Sequence, residues 1–127
     1  MKDNRDLSKG WLEKARSDLY ASEQLLAGTG PYDSACFHAQ QAIEKALKAL
    51  LALYGQNIPR THDLEELQRT CVHLHPISEL QSLDLSEATD YAVQLRYDIE
   101  FWPEQETALQ AYHLAERVVE IITDILN

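Results

Sequence analysis

The sequence contains few of the residues that build turns and cross-links. Its 127 residues include four Gly, four Pro and two Cys. Because Gly and Pro are the strongest breaks between elements, so few of them predict a small number of long elements. Cys36 and Cys71 have no CxxC spacing and are expected to be ordinary thiols of a cytoplasmic protein. The length predicts one domain spanning residues 1–127.

Targeting segments and several catalytic motifs are also missing. The first ten residues, MKDNRDLSKG, are charged and contain no apolar signal core. No apolar run reaches the ~18 residues of a membrane span, so we expect no membrane partner. There is no Gly-rich phosphate loop, nucleophile elbow or HExxH motif.

A metal site is not predicted, although one segment has the right residue types. Cys71, His73 and His75 alternate in CVHLH, a spacing that fits metal ligands in an extended segment. Structural zinc needs four ligands, and the sequence offers no obvious fourth nearby. We therefore predict no metal and no resident cofactor.

Positive charge is scarce in the second half of the chain. Residues 1–60 carry 8 Lys/Arg and 7 Asp/Glu, a balance of +1, whereas residues 61–127 carry 3 and 14, a balance of −11. Phosphate backbones are bound through Lys and Arg, so weak binding to bulk nucleic acid is expected. A basic protein partner is favoured instead, because complementary fields steer encounters.

Apolar periodicity indicates helices throughout, with no convincing strand pattern. The first helix is predicted over residues 7–27, where the GTGP segment ends it, and the second over residues 32–54, before Gly55. Several alanines on the apolar side of the second helix would let a neighbouring helix approach closely.

The remaining helices are shorter or begin at Pro. Asp63 followed by Glu66 resembles a capping box, with Thr61 as the competing cap. The segment HPISELQS is predicted as a loop or an irregular turn. Helices then run from residue 84 or 86 to about 97, and from about 104 to 126 after a Pro near the first turn. The predicted fold is all-α: an antiparallel up-and-down four-helix bundle with an additional short helix.

A polar stripe on the second helix has two interpretations. It is either the solvated face, or Lys45 and Lys48 form an anion site near Arg96. Phe37 and Leu51 lie on this otherwise polar side and suggest a dimer or partner surface. The stripe consists of His38, Gln41, Lys45 and Lys48.

Three further residues are candidates for a ligand site. In LRYDIEFWPEQ, Arg96 is either an ion-pair residue at a helix C-terminus or a contact to a ligand phosphate or a partner. Tyr97 is either a packing residue or a site hydroxyl. His62 is either a loop or capping histidine, or a catalytic one.

Four segments in this order resemble the HEPN domain family: WLEKARSDLYASEQLL, YDSACFHAQQAIEKALKALLALYG, THDLEEL, and RYD before the last long helix. The resemblance covers nearly the whole chain. It implies an up-and-down helical bundle, commonly a homodimer, in a family proposed to bind nucleotides. It also implies association with a minimal nucleotidyltransferase. Several branches are metal-independent endoribonucleases, including toxins that the nucleotidyltransferase neutralises.

Those nuclease branches share an Arg and a His separated by four to six residues, which act across a dimer interface. Arg96 matches the Arg in position, but the window for the His holds Phe101, Trp102 and Pro103, and the next His is His113. This chemistry needs a group that exchanges protons near neutral pH, and His is suited to it. The mismatch puts the nuclease activity in question.

The favoured prediction is therefore a non-catalytic module that dimerises, partners a nucleotidyltransferase in a toxin–antitoxin-like pair, and holds a nucleotide. One alternative is a metal-independent endoribonuclease toxin that uses Arg96, with Tyr97 as a second candidate and RNA as its substrate. Another is a purely structural bundle. The candidate ligand-binding residues are Arg96, Tyr97, Lys45, Lys48 and His62.

Overall fold

The computed structural model describes residues 2–127, without the side chains of Ala92, Val93 and Arg96. This range contains six helices and no strand, which confirms the predicted all-α bundle. None of the helices in this range has a stretch long and apolar enough to cross a membrane. The helices are α1 (Asn4–Ala27), α2 (Tyr32–Leu53), α3 (Leu64–Leu74), α4 (Ser78–Gln81), α5 (Ser86–Tyr97) and α6 (Gln105–Leu126).

Helix α1 begins at Asn4, three residues before the predicted start at Leu7. The reason is a capping box: Asp3 Oδ1 accepts a hydrogen bond from Asp6 N at 2.8 Å, and Asp6 accepts one from Asp3 N at 3.4 Å. Two backbone N–H groups that helix formation leaves free are thereby satisfied. The turn after α1 uses Gly30 at φ +93°, a conformation that side chains disfavour.

Helix α2 lies at the centre of the bundle and packs against α1, α3, α5 and α6. Its largest apolar side chains, Ile43, Leu47 and Leu50, are fully buried. Because neighbours surround it, α2 has little solvated surface. The interpretation of its polar stripe as a solvated face is wrong, since Lys48 is only 7% exposed and the three other stripe residues are half-buried.

The apolar residues that suggested a partner surface on α2 also lie within the chain. Leu51 is 1% exposed and belongs to the hydrophobic core, while Phe37 is half-buried. The sequence pattern placed them on a polar side, but that side of α2 is itself covered. These two residues therefore give no support to a dimer face.

Helix α3 begins as predicted, after Asp63 as the N-cap. Asp63 Oδ1 accepts hydrogen bonds from Glu65 N at 3.1 Å and Glu66 N at 3.2 Å. Thr61 is not the cap, but its hydroxyl accepts a hydrogen bond from Asp63 N at 3.1 Å. This fixes the entry of the chain into α3.

The segment predicted as a loop after α3 contains the one-turn helix α4. Leu80 of this turn is fully buried, and Gln68 Nε2 donates hydrogen bonds to the carbonyls of Leu80 and Leu83, each at 2.8 Å. Side-chain donors from α3 thus satisfy carbonyls that a short helix leaves free. Local sequence does not reveal this support.

Residues 98–104 join α5 to α6; together with Tyr97, the last residue of α5, they are here called the α5–α6 corner. Helix α6 begins at Gln105, with Glu104 at the N-cap position, so Pro103 precedes the helix instead of lying in its first turn. The apolar arc of α6 is buried against α1 and α2. Its buried residues are Ala108, Ala111, Tyr112, Ala115, Val118, Val119, Ile121, Ile122 and Leu126.

Candidate functional site

The predicted site residues lie on different segments of the chain. Lys45, Lys48 and His62 lie around the middle of α2, whereas Arg96 and Tyr97 lie at the C-terminal end of α5. The side chain of Arg96 is outside the part of the chain that the structure describes. Both interpretations of Arg96, as an ion-pair residue and as a ligand contact, therefore stay predictions.

The buried carboxylate of Glu44 contacts two of the predicted site residues, Lys48 and His62. Glu44 is 4% exposed; its Oε1 lies 2.7 Å from His62 Nδ1 and its Oε2 lies 3.1 Å from Lys48 Nζ. Gln40 Nε2 donates a longer bond of 3.4 Å to Glu44 Oε1. We call Glu44, Lys48, His62 and Gln40 the Glu44 cluster. An ionised carboxylate only accepts hydrogen bonds, so His62 donates through Nδ1 and keeps Nε2 for another partner.

Lys48 is enclosed by its neighbours within the chain. Its ammonium nitrogen lies 5.7 Å from the centre of the Trp11 indole ring, a cation–π distance, and its side chain is 8% exposed. A buried charge is costly unless it is paired and hydrogen-bonded. The carboxylate of Glu44 and the indole face of Trp11 together meet that requirement, so Lys48 is a positioning group for α1 and α2.

A second carboxylate lies beside the Glu44 cluster. Asp18 Oδ1 is 2.8 Å from His38 Nδ1, and Asp18 Oδ2 accepts a hydrogen bond from Lys45 Nζ at 2.6 Å. With neutral histidines, the charges of Asp18 and Lys45 cancel, as do those of Glu44 and Lys48. The positive charge of the predicted anion site is therefore neutralised by carboxylates of the same chain.

Only one of the two lysines is open to a ligand from outside. The side chain of Lys45 is 25% exposed and lines a cleft of about 500 Å³ on the N-terminal part of α1. Trp11 and Lys14 line the same cleft. Lys2 and Asp6 line it as well, so the cleft combines the Trp11 side chain with three ammonium groups and one carboxylate. Such a lining can take a small anionic ligand that has a flat ring.

The α5–α6 corner is an ordered turn. Asp98 N donates to the Gln94 carbonyl at 3.0 Å and closes α5, and Phe101 N donates to the Asp98 carbonyl at 3.1 Å. Asp98 Oδ1 also accepts a hydrogen bond from Glu100 N at 3.0 Å. Such side-chain bonds to the backbone two residues on are typical of Asx turns and fix the path of the chain.

Most side chains of this corner are on the outside. Tyr97 is 77% exposed, Ile99 is 89% exposed and Trp102 is 73% exposed. Phe101 is the exception: it is half-buried, and its ring centre lies 5.9 Å from that of Tyr91. The interpretation of Tyr97 as a packing residue within the chain is therefore wrong, and its role as a site residue stays a prediction.

The five histidines of the sequence are all outside the corner. His38 and His62 each lie against a carboxylate, and His75 Nδ1 is 2.6 Å from the Tyr54 hydroxyl. The window in which the nuclease branches have their His is occupied by Phe101, which packs inward, then exposed Trp102 and half-buried Pro103.

The possible metal ligands of the CVHLH segment are not in an extended conformation. Cys71 and His73 lie in α3, and His75 follows its end. Cys71 is fully buried, and its thiol donates to the Leu47 carbonyl at 3.3 Å. Within residues 2–127, apart from the three side chains not described, no group of three or more His, Cys, Asp or Glu could hold a metal ion.

The pKa values of the two cysteine thiols, Cys36 and Cys71, are raised well above that of an ordinary thiol. Burial raises the pKa of Cys71 to about 12. Burial also raises the pKa of Cys36 to about 12, with smaller contributions from the nearby carboxylates of Asp33 and Glu87. Since the thiolate is the reactive form, neither thiol is suited to act as a nucleophile.

Sequence analysis did not single out Glu44, Trp11 or Ile99. Glu44 and Lys48 are four residues apart, a spacing that brings opposite charges together on a helix, and this signal was available. The enclosure of that pair by Trp11 depends on how α1 packs on α2, which no local pattern specifies. The exposure of Ile99 depends on the corner turning Phe101 inward.

Comparison with known proteins places this geometry in a family. A protein of Methanocaldococcus jannaschii named "Putative toxin MJ1304" is 28% identical over 145 aligned positions, which cover 98% of this chain and 91% of that protein. The solved structure of the archaeal HEPN homologue ST0689 has a TM-score of 0.72 at 23% identity, with 100% of both chains covered. That likeness shows the fold.

A second solved structure, that of TT1696 from Thermus thermophilus, has a TM-score of 0.68 at 27% identity and covers 92% of this chain and 96% of that one. The family model of the HEPN domain matches residues 8–125. This range contains the Glu44 cluster and the whole α5–α6 corner. The chain therefore belongs to the HEPN domain family.

Proposed function

We propose that this HEPN protein acts by binding and not by cleaving RNA, as the toxin-like member of a pair whose other member is a nucleotidyltransferase. The observation that carries this proposal is the identity of the residues at the corner positions where the nuclease branches have their His. Phe101 packs on Tyr91, and the next two residues are Trp102 and Pro103. None of these side chains can accept a proton near neutral pH.

The proposal of a protein partner has two supports. The archaeal relative is named a putative toxin. The family resemblance implies that such toxins are paired with a partner that neutralises them. The charge balance of −11 over residues 61–127 favours a basic partner over a nucleic acid. A nucleotidyltransferase is the partner that the family resemblance implies. Dimerisation of the chain is part of the same proposal and rests on the resemblance alone.

A nucleotide is the small ligand that we propose for the cleft on α1. Trp11 offers an aromatic face for a base, and Lys14 and Lys45 offer ammonium groups for phosphates. His62 does not line this cleft; one of its ring nitrogens lies against Glu44, so its role in binding the ligand is a separate proposal. The buried Lys48 contacts the Trp11 ring and so helps to fix the position of a residue that lines the cleft.

The first experiment is RNA cleavage in the presence of EDTA. We expect the purified protein and its Arg96→Ala variant to leave RNA intact, because no imidazole is available in the corner. Cleavage by the wild-type protein that Arg96→Ala abolishes would overturn the proposal in favour of a nuclease. The variant Trp102→His is the positive control. It restores an Arg–His spacing of the nuclease branches, at an exposed position that should tolerate the substitution.

The ligand is tested on the same preparation by thermal unfolding with millimolar ATP. A ligand that binds only the folded state adds about 2.7 kcal/mol when its concentration is 100 times Kd. We expect a rise in Tm that Lys45→Gln reduces and that Lys9→Gln, at an exposed lysine outside the cleft, does not. An unchanged Tm would remove the nucleotide from the proposal.

A further inference from the structure

A cleft between α3 and α4 differs in charge from the half of the chain that contains it. It encloses about 300 Å³, and none of the described residues that line it is acidic. Residues 61–127 as a whole carry 14 Asp/Glu against 3 Lys/Arg, so a cleft with Arg and His but no acid departs from its surroundings. The lining residues, here called the α3–α4 cleft, are Gln68, Arg69, Val72, His73 and Gln81.

The two basic side chains of this cleft are available to a ligand. Arg69 and His73 are exposed and lie four residues apart on α3, a spacing that places side chains on one face of a helix. Among the described residues of this half, ion pairs to carboxylates are made by His62, His113 and Arg117, and by neither Arg69 nor His73. Both groups can therefore donate to an anion from outside.

Acidic residues close to the cleft do not occupy its guanidinium. Glu65 lies four residues before Arg69, a spacing that favours an ion pair on a helix, yet these two described side chains form none within 4.0 Å. Glu79 of α4 pairs instead with Arg117 of α6 at 2.9 Å. A guanidinium that no carboxylate holds can bind a phosphate group through two parallel N–H donors.

The uncharged part of the cleft is fixed before a ligand binds. Gln68 Nε2 donates to the carbonyls of Leu80 and Leu83, each at 2.8 Å, so both amide hydrogens are used and Oε1 is left to accept. These bonds also hold α4 against α3, which lowers the entropy cost of binding. Gln81 is exposed and can donate or accept, and half-buried Val72 adds an apolar contact.

We infer that the α3–α4 cleft binds a small phosphate monoester that carries hydroxyl groups. Phosphate oxygens accept hydrogen bonds from Arg69 and from a ring N–H of His73, while ligand hydroxyls bond to Gln68 Oε1 and to the Gln81 amide. Ligand clefts enclose about 300–1,000 Å³, so this volume suits a ligand at the small end of that range. The inference goes beyond the proposed function, because the nucleotide cleft on α1 is a separate site.

The test is an NMR titration of the ¹⁵N-labelled full chain with millimolar ribose 5-phosphate, inorganic phosphate or ribose. We expect ribose 5-phosphate to shift the amide signals of residues 68–73 and 81, at lower concentration than inorganic phosphate does. Ribose should shift none of them, since it lacks the group that Arg69 binds. The signals of residues 10–14, in the cleft on α1, should stay unchanged with all three compounds.

Variants separate the phosphate contact from the hydroxyl contact. Arg69→Gln should weaken binding of ribose 5-phosphate about tenfold or more, the scale of a lost hydrogen bond to a charged group. Gln81→Ala should weaken binding of ribose 5-phosphate but not of inorganic phosphate. The matched control is Arg60→Gln, at an exposed arginine outside the cleft, which should leave both affinities unchanged.

The variant Lys45→Gln distinguishes this site from the nucleotide cleft. It removes an ammonium group of the cleft on α1 and should leave binding of ribose 5-phosphate unchanged. A loss of binding in Lys45→Gln that matches the loss in Arg69→Gln would place the ester in the α1 cleft and overturn the inference.

Four further outcomes would overturn it. Unshifted amides of residues 68–73 with every compound would mean that the cleft takes no phosphate. Equal losses in Arg60→Gln and Arg69→Gln would show attraction by charge alone. Equal affinity for inorganic phosphate and the ester would leave a simple anion site, and tighter binding of a phosphoserine peptide would assign the cleft to a protein. Circular dichroism of each variant checks that loss of binding is not loss of fold.

Discussion

The Glu44 cluster buries charged side chains, whereas the α5–α6 corner exposes large apolar ones. In the cluster, a carboxylate and an ammonium are buried and face each other at 3.1 Å. In the corner, an isoleucine and two aromatic residues are exposed and surrounded by carboxylates. Both arrangements depart from the usual distribution, in which charged groups are rarely buried and exposed apolar residues are scattered.

The difference separates internal from external roles. Glu44 connects Lys48 of its own helix with His62, which precedes α3, and Lys48 in turn contacts Trp11 of α1. The cluster therefore fixes three segments of the bundle relative to one another. In the corner, Phe101 packs inward on Tyr91, whereas Tyr97, Ile99 and Trp102 are exposed.

The largest effect is expected from breaking the pair inside the Glu44 cluster. Glu44→Ala would leave the ammonium of Lys48 buried without a carboxylate, and removing one partner of a buried pair costs about 3–5 kcal/mol. The free energy of unfolding, measured by urea denaturation, should fall by this amount. The matched control is Glu120→Ala, which removes an exposed partner of Arg117 and should cost about 1 kcal/mol or less.

A double variant decides whether the charge or the packing of the cluster matters. Replacing a whole buried pair by apolar residues of similar size is often neutral, so Glu44→Met/Lys48→Met should be more stable than Glu44→Ala. If the double variant is as unstable as the single one, the loss comes from the hydrogen bonds to His62 and Gln40 or from packing. The role assigned to the ion pair would then be wrong.

An intermediate effect compares the core of α2 directly with the corner. Leu47 is fully buried, and Leu47→Ala should cost about 2–5 kcal/mol through lost contacts and a residual cavity. Trp102→Ser removes a larger side chain but an exposed one, so its cost should stay within about 0.5 kcal/mol.

The comparison is made by urea denaturation at two protein concentrations. Stability that comes from association depends on concentration, whereas stability within one chain does not. A cost for Trp102→Ser that grows with protein concentration would show that a second copy covers the corner. A cost that is small at both concentrations would show instead that the exposed Trp102 side chain contributes nothing to association of the chain.

Periodicity and capping predicted the architecture well. The spacing of apolar residues placed α1, α2, α5 and α6 within a few residues of their ends, and Asp63 was correctly expected as the cap of α3. These features depend on residues that are close in sequence, and the hydrogen bonds of a cap join neighbours. The one-turn helix α4 was not predicted, because its support comes from Gln68 of α3.

The polar side of α2 could not be interpreted in the same way. A helical wheel shows which residues share a face, but not whether another segment covers it. Glu44, Lys48 and Leu51 are all buried because α2 has neighbours on every side, a property of the whole bundle. The exposure of Ile99 and Trp102 is equally non-local, since it follows from the packing of Phe101 on Tyr91.

The smallest effect is a pH dependence that arises from the interior and not from the corner. Cys36 and Cys71 have pKa values raised to about 12 by burial, against 9.0 for an ordinary thiol. A raised pKa contributes stability that is fully present below pH 9 and is lost as the pH rises towards 12, because the unfolded thiol releases its proton first.

Between pH 8 and pH 10 this loss should be on the order of 1 kcal/mol per thiol. Urea denaturation of the wild type and of Cys36→Ala/Cys71→Ala at both pH values isolates it. The variant loses packing at every pH, but its stability should fall less between pH 8 and 10. Burial also raises the pKa of Tyr91 and of Tyr112. The contribution of Tyr112 cancels in the comparison, whereas Cys36 adds to the shift of Tyr91, so the single variant Cys71→Ala, which keeps Cys36, is measured beside the double variant. Equal slopes for the two proteins would mean that water reaches the thiols, and that the centre of α2 is less enclosed than the Glu44 cluster requires.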